Sequence, residues 1–197
     1  MNRLAVLMLM FVGGGLIAFA VMRERRAPSS STEGAALRPG THIDDFVLTE
    51  RSGESFRSAS LRGEIWVASF FFSSCPTSCV RQNEIVAELQ RDYGDRGVKF
   101  VSITCDPKND TPERLRAYAG KFQARPDQWY FLTGDLTYIR LVGRDAFQVP
   151  VAEQTHANRL MLVDRKGKLR GSFNWNDATE LKKLREKIDA LLRESAT

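Results

Sequence analysis

The sequence predicts an α/β fold, a central mixed sheet flanked by helices, and three stretches carry that expectation. Trp66 to Phe72 is a near-continuous apolar run, the mark of a strand covered on both faces. Val98 to Thr104 is a second such run. The segment between them has a length suited to a helix and ends at Gly94 and Gly97, so strand, helix and strand make one βαβ unit. Near the carboxyl end, Leu181, Leu184, Ile188 and Leu191 or Leu192 recur at helical spacing in a predicted helix from Ala178 to about Glu194, and are most simply core.

At 197 residues the chain has room for one ordinary domain with a full hydrophobic core, plus extras. The first extra is Leu4 to Met22, 19 residues without a charge. As a helix it would extend about 28 Å, close to the hydrocarbon thickness of a bilayer. Residues 1–26 are therefore expected to anchor the protein in a membrane. A cleaved signal peptide is the alternative, with Ala18-Phe19-Ala20 as its small-residue site. Arg23, Arg25 and Arg26 follow the span while only Arg3 precedes it, an asymmetry that runs against exporting the carboxyl side. Residues 27–36, with Ser29-Ser30-Ser31, read as a flexible linker, and the folded domain is expected over 37–197. Of the formal charge of +5, residues 1–26 supply +3, which leaves little for binding nucleic acid, and no Lys/Arg stripe interleaves with aromatics.

Within the domain, Phe46-Val47-Leu48 and Ser55-Phe56-Arg57 flank turn residues and predict a hairpin. After the βαβ unit, Thr111-Pro112 opens a helix to about Phe122. Trp129 to Leu132 reads as a strand, Leu136 to Val142 as a helix, and Arg144 to Asn158 as irregular. Arg159 to Val163 and Leu169 to Phe173 flank Asp164-Arg165-Lys166-Gly167 and predict an antiparallel pair.

Chemistry is concentrated after the first buried strand, in Ser74-Cys75-Pro76-Thr77-Ser78-Cys79-Val80. Pro76 suits the first turn of a helix, so Cys75 is expected at a helix N-terminus, where the helix dipole favours thiolate, with the helix running to Leu89. Cys79, four residues on, falls on the same face. Cα atoms at that spacing are about 6 Å apart, within the range a disulfide spans. The pair can close reversibly, hold a soft metal ion, or be merely structural. Cys105, at the end of the second strand, is expected to be a small buried hydrophobe.

These residues resemble the Sco/SenC proteins, membrane-anchored thioredoxin-like copper proteins that serve assembly of cytochrome c oxidase. The resemblance covers about residues 37–195. It rests on Phe70-Phe71-Phe72-Ser73-Ser74-Cys75-Pro76-Thr77-Ser78-Cys79, on Val101-Ser102-Ile103-Thr104 with Asp106-Pro107 and Asp110-Thr111-Pro112-Glu113, on Phe131-Leu132-Thr133-Gly134, and on Thr155-His156-Ala157 ahead of Leu162-Val163-Asp164. The cysteine spacing discriminates, since thioredoxins proper place two residues between their cysteines and this family three. Val80 stands where the family usually has proline, a position that is not a ligand.

The resemblance implies a thioredoxin-like fold and one copper ion held by Cys75, Cys79 and His156. It implies the copper-bearing subunit of cytochrome c oxidase as client, an upstream copper donor and a thiol reductant as further partners, and a single-pass anchor with the domain on the periplasmic or other non-cytoplasmic face. Two thiolates and an imidazole suit copper, although zinc takes the same donors, so the resemblance carries the choice of metal. A membrane-anchored thiol–disulfide oxidoreductase using Cys75 and Cys79 is the alternative function. A thiol peroxidase is disfavoured, because the position three residues before Cys75, where peroxiredoxins carry Thr or Ser, holds Phe72.

Overall fold

The computed structural model describes residues 45–155 and 158–194. The predicted anchor and linker, and His156, lie outside the described residues. Seven strands form one sheet, labelled in chain order β1 (Val47–Glu50), β2 (Ser55–Arg57), β3 (Ile65–Phe71), β4 (Val98–Thr104), β5 (Trp129–Thr133), β6 (Arg159–Val163) and β7 (Leu169–Asn174). Their order across the sheet is β2-β1-β5-β4-β3-β6-β7. The inner strands β3, β4 and β5 are parallel, while β6 joins β3 and β7 joins β6 in antiparallel fashion. The sheet is thus mixed, as expected. The hairpin of β1 and β2 is not a separate preface: β1 pairs antiparallel with β5, Thr49 opposite Thr133.

Every residue of β3 is buried. Its side chains alternate between two cores, Ile65, Val67 and Phe71 facing one and Trp66, Ala68 and Phe70 the other. On the first face pack α1 (Ser78–Tyr93), α2 (Pro112–Gly120) and α4 (Ala178–Arg193), through Ile85, Leu89, Leu115, Leu184, Ile188 and Leu191. On the second, α3 (Leu136–Leu141) contributes Ile139. There Phe147 meets Trp66 and Phe70 edge-on, with ring centroids 5.9 and 5.7 Å apart. At the centre of the sheet Ser69 and Ser102 hydroxyls lie 3.1 Å apart, and the Trp129 indole N–H donates to Ser102 at 2.9 Å.

Several element ends depart from expectation. α1 runs on to Tyr93, and a short 3₁₀ turn then closes at Gly97, whose φ of 88° lies in the region glycine favours. α2 stops at Gly120 rather than Phe122, the chain turning through Gln123 at φ 54°. α3 continues as a turn of π-helix over Val142–Ala146 where irregular chain was expected. β7 reaches Asn174, one residue further than predicted.

Candidate metal and thiol site

The chain leaves β3 at Phe71 and crosses to α1 through a turn that carries Cys75. The Cys75 N–H donates to the Phe72 carbonyl at 3.3 Å. Asp110, fully buried, holds the same turn: it accepts from the Ser73 N–H at 3.0 Å and from the Ser73 hydroxyl. The Thr104 hydroxyl, at the end of β4, also donates to Asp110. Arg114 of α2 lies 3.6 Å from the Asp110 carboxylate and donates to the Ser73 hydroxyl oxygen at 2.7 Å. One buried carboxylate therefore ties the cysteine turn to a strand end and a helix.

Cys75 does not stand at the first residue of the helix, nor Pro76 in its first turn, as the sequence led us to expect. The helix begins at Ser78, and the preceding Thr77 makes no side-chain cap. The cysteine takes over that task. The Cys79 N–H, one of the unpaired donors at a helix start, donates to Cys75 Sγ at 3.5 Å, and the Ser78 hydroxyl lies 3.2 Å from the same sulfur. The predicted proximity of the two cysteines is preserved by this contact rather than by a shared helix face.

Cys75 is 8% exposed and Cys79 wholly buried, and neither they nor Cys105 is in a disulfide. Burial pushes the Cys75 thiol up, but the Ser78 hydroxyl and the N–H groups of Cys79 and Thr77 together outweigh it and bring the pKa to about 7 from 9.0. For Cys79 burial prevails. The Phe72 N–H, 3.5 Å from its sulfur, opposes the rise and Cys75 adds to it, leaving the thiol at about 12. The two sulfurs are therefore unequal, Cys75 the more readily ionised and Cys79 the one that keeps its proton.

His156 lies outside the described residues, but the chain next to it is placed. Two residues ahead, the Gln154 N–H donates to the Cys105 carbonyl at 3.2 Å and its side-chain amide to Asp106 at 3.0 Å. Asp106 is buried and also accepts from Asn109. Cys105 in turn donates its N–H and its S–H to the Phe71 carbonyl, at 2.8 and 3.1 Å. The approach to His156 is thereby pinned to the strand ends from which the cysteine turn departs. Cys105 is buried and burial pushes its thiol up to about 12, in keeping with a packing residue.

Among the described residues, no group of three or more His, Cys, Asp or Glu side chains is disposed to hold a metal. They supply two of the three expected ligands. Sequence reasoning gave no role to Ser78, Asp106 and Asp110, which stand in the family motifs, and passed over Gln154 and Gln82. The buried Gln82 side chain donates to the Phe70 carbonyl at 3.0 Å, just past the last β3 residue paired with β6.

A mixed sheet with helices on both faces, and a Cys-x₃-Cys turn at the carboxyl end of β3, one of its three parallel strands, define a thioredoxin-like thiol domain. The chain belongs to the SCO1/SenC family, whose sequence profile it matches over residues 35–193. It is 32% identical over 94 residues to the SCO1 protein homolog of Bacillus subtilis, covering 47% of this chain and 49% of that one, so it spans about half the length of this relative. A SCO1/SenC family lipoprotein from Bacillus anthracis superposes with a TM-score of 0.73 at 30% identity, over 80% of this chain and 99% of that one. Bradyrhizobium japonicum ScoI, solved with copper bound, gives a TM-score of 0.60 at 26% identity over 73% and 99% of the two chains.

Proposed function

We propose that this chain binds one copper ion through Cys75, Cys79 and His156 and delivers it to the copper-bearing subunit of cytochrome c oxidase. It acts on the non-cytoplasmic face of a membrane in which Leu4 to Met22 anchors it. The observation that carries this reading is the approach of the two cysteines beyond the end of β3, with the Cys79 N–H 3.5 Å from Cys75 Sγ; the same hydrogen bond helps lower the Cys75 pKa to about 7. Thiolate is the ligand form, and soft sulfur donors favour Cu(I), while an added imidazole lets the set hold Cu(II). The second proton, held by Cys79, leaves when metal binds. Family membership and the copper in Bradyrhizobium japonicum ScoI support the choice of metal.

The unequal thiols also favour a thiol–disulfide reductase. Cys75 thiolate attacks a partner disulfide and forms a mixed disulfide, releasing one partner thiolate that takes up a proton. Cys79, losing its proton, then attacks Cys75 Sγ, releases the second partner thiolate and closes the Cys75–Cys79 disulfide. The partner gains two electrons and this chain loses two. Closure also removes both sulfur ligands, so the redox state of the pair gates metal loading.

Copper titration of the purified chain under strict redox control tests the assignment. The reduced parent binds one equivalent and the oxidised form none. Cys75→Ser or Cys79→Ser abolishes binding of both copper states, and His156→Ala weakens Cu(II) more than Cu(I). Cys105→Ser leaves the stoichiometry unchanged. Parental Cu(II) affinity in His156→Ala, or loss of copper in Cys105→Ser, shows that the ligands are misassigned.

A further inference from the structure

The exposed face of α1 carries a feature that neither copper binding nor thiol exchange uses. Two hollows of about 390 and 400 Å³ lie against it and share Ala87, Arg91, Phe122 and Gln123 as walls, so they form one groove between α1 and the loop after α2. One end is at Arg81, two residues past Cys79, and the other at Asp95. That separation along a helical path is about 21 Å, the length of about six residues of extended peptide. The floor is fixed. Buried Gln90 clamps the loop to the helix, its amide donating to the Gln123 carbonyl at 3.2 Å and accepting from the Arg125 N–H at 3.0 Å.

The charges say what fits there. The carboxylates of the groove each lie near a cation: Glu84 with Arg81 at 3.3 Å, Asp95 with Arg125 at 2.7 Å, and Glu88 at 4.0 Å from Arg185, which is shared with the closer Asp92. Arg91 and Lys121, both exposed, have no carboxylate partner among the described residues. The Lys121 ammonium lies 5.7 Å from the centre of the Tyr118 ring. Between these cations sit half-buried Phe122 and the small side chain of Ala87. We propose that this groove docks an extended acidic segment of a protein partner, its carboxylates on Arg91 and Lys121 and an apolar side chain against Ala87 and Phe122. A flat bilayer does not enter such a concavity. Inorganic phosphate satisfies the cations but leaves the apolar floor uncovered. A segment seated there ends beside the cysteine turn, which deepens the partner part of the function proposed above and rests on that reading only for which protein supplies the segment.

The test uses the full chain in detergent, copper-free and reduced, with a fluorescein-labelled hexapeptide of alternating leucine and glutamate followed by anisotropy. Phosphate and phosphatidylglycerol vesicles serve as competitors. Saturable binding is expected. It weakens at least tenfold for the double variant Arg91→Glu with Lys121→Glu, for Ala87→Phe, and for the leucine–glutamine peptide, while thermal melting of the charge variant stays at the parental value. The proposal is overturned if the parent fails to bind at millimolar peptide or if the charge variant binds as the parent does. It is equally overturned if phosphate or vesicles displace the peptide with the same dependence on the variants. Copper stoichiometry is read separately, so failure of the metal assignment and failure of the groove are distinguishable.

Discussion

Cys75 and Cys79 are four positions apart, yet one carries a pKa of about 7 and the other about 12. Three donors at the mouth of α1 reach the first sulfur, whereas burial dominates at the second. Alkylation of the metal-free, reduced chain with iodoacetamide should therefore label Cys75 first, with a half-maximal rate near pH 7, and Ser78→Ala should move that midpoint upward. A midpoint near 9 in the parent contradicts the assigned hydrogen bonds. The sign of the linkage follows from the same values. A lowered Cys75 contributes stability that is full above about 9 and lost as pH falls through 7. The raised thiols of Cys79 and Cys105 contribute below 9 and lose that contribution as pH rises toward 12. The cysteine pair was legible in the sequence because chemistry at the end of a buried strand leaves a compact local signature. Asp110 was not, since its partners Ser73 and Thr104 lie on other elements and nothing local tells a buried acid from a solvated one.

At the scale of elements, strand runs and helical periodicities placed all seven strands and four helices, because burial imposes the period that the residues display. The ends were harder, being decided by contacts across the fold. Pro76 fits a first helical turn, but the Cys75 sulfur accepting the Cys79 N–H lets the helix begin at Ser78. The π-turn after α3 has no period of its own to announce it. Asp110 joins three such ends, so Asp110→Ala should act on the elements rather than on the thiols. It leaves the buried Thr104 hydroxyl and the half-buried Ser73 donors without their acceptor, at about 1–3 kcal/mol for the buried group and less for those that water can reach. Urea denaturation should show the loss, and hydrogen exchange should show the Ser73 amide opening faster than the amides of β3. Unchanged exchange at Ser73 would mean that the turn is held without the carboxylate.

For the whole molecule, the βαβ unit announced the parallel centre of the sheet. The pairing of β1 with β5 joins residues as far apart as Glu50 and Leu132, and no local pattern encodes it. Membership of the SCO1/SenC family rests on a match over residues 35–193. Among the described residues no helix is long and apolar enough to cross a membrane, and Leu4 to Met22 lies outside them. For the anchor and the copper loading proposed above, two considerations bear on orientation and they oppose each other. Arg23, Arg25 and Arg26 after the span favour keeping the carboxyl side in the cytoplasm. Reduced thiols that load copper and close to a disulfide on oxidation need a compartment in which disulfides persist, which is the non-cytoplasmic side. The charge bias is a tendency, and the function proposed above follows the compartment argument. A reporter enzyme active only outside the cytoplasm, fused after Thr197, should give activity in the full chain and lose it when residues 1–26 are deleted. Silence from the full-length fusion, with a cytoplasmic reporter active at the same position, would place the domain on the other side and remove the client proposed here.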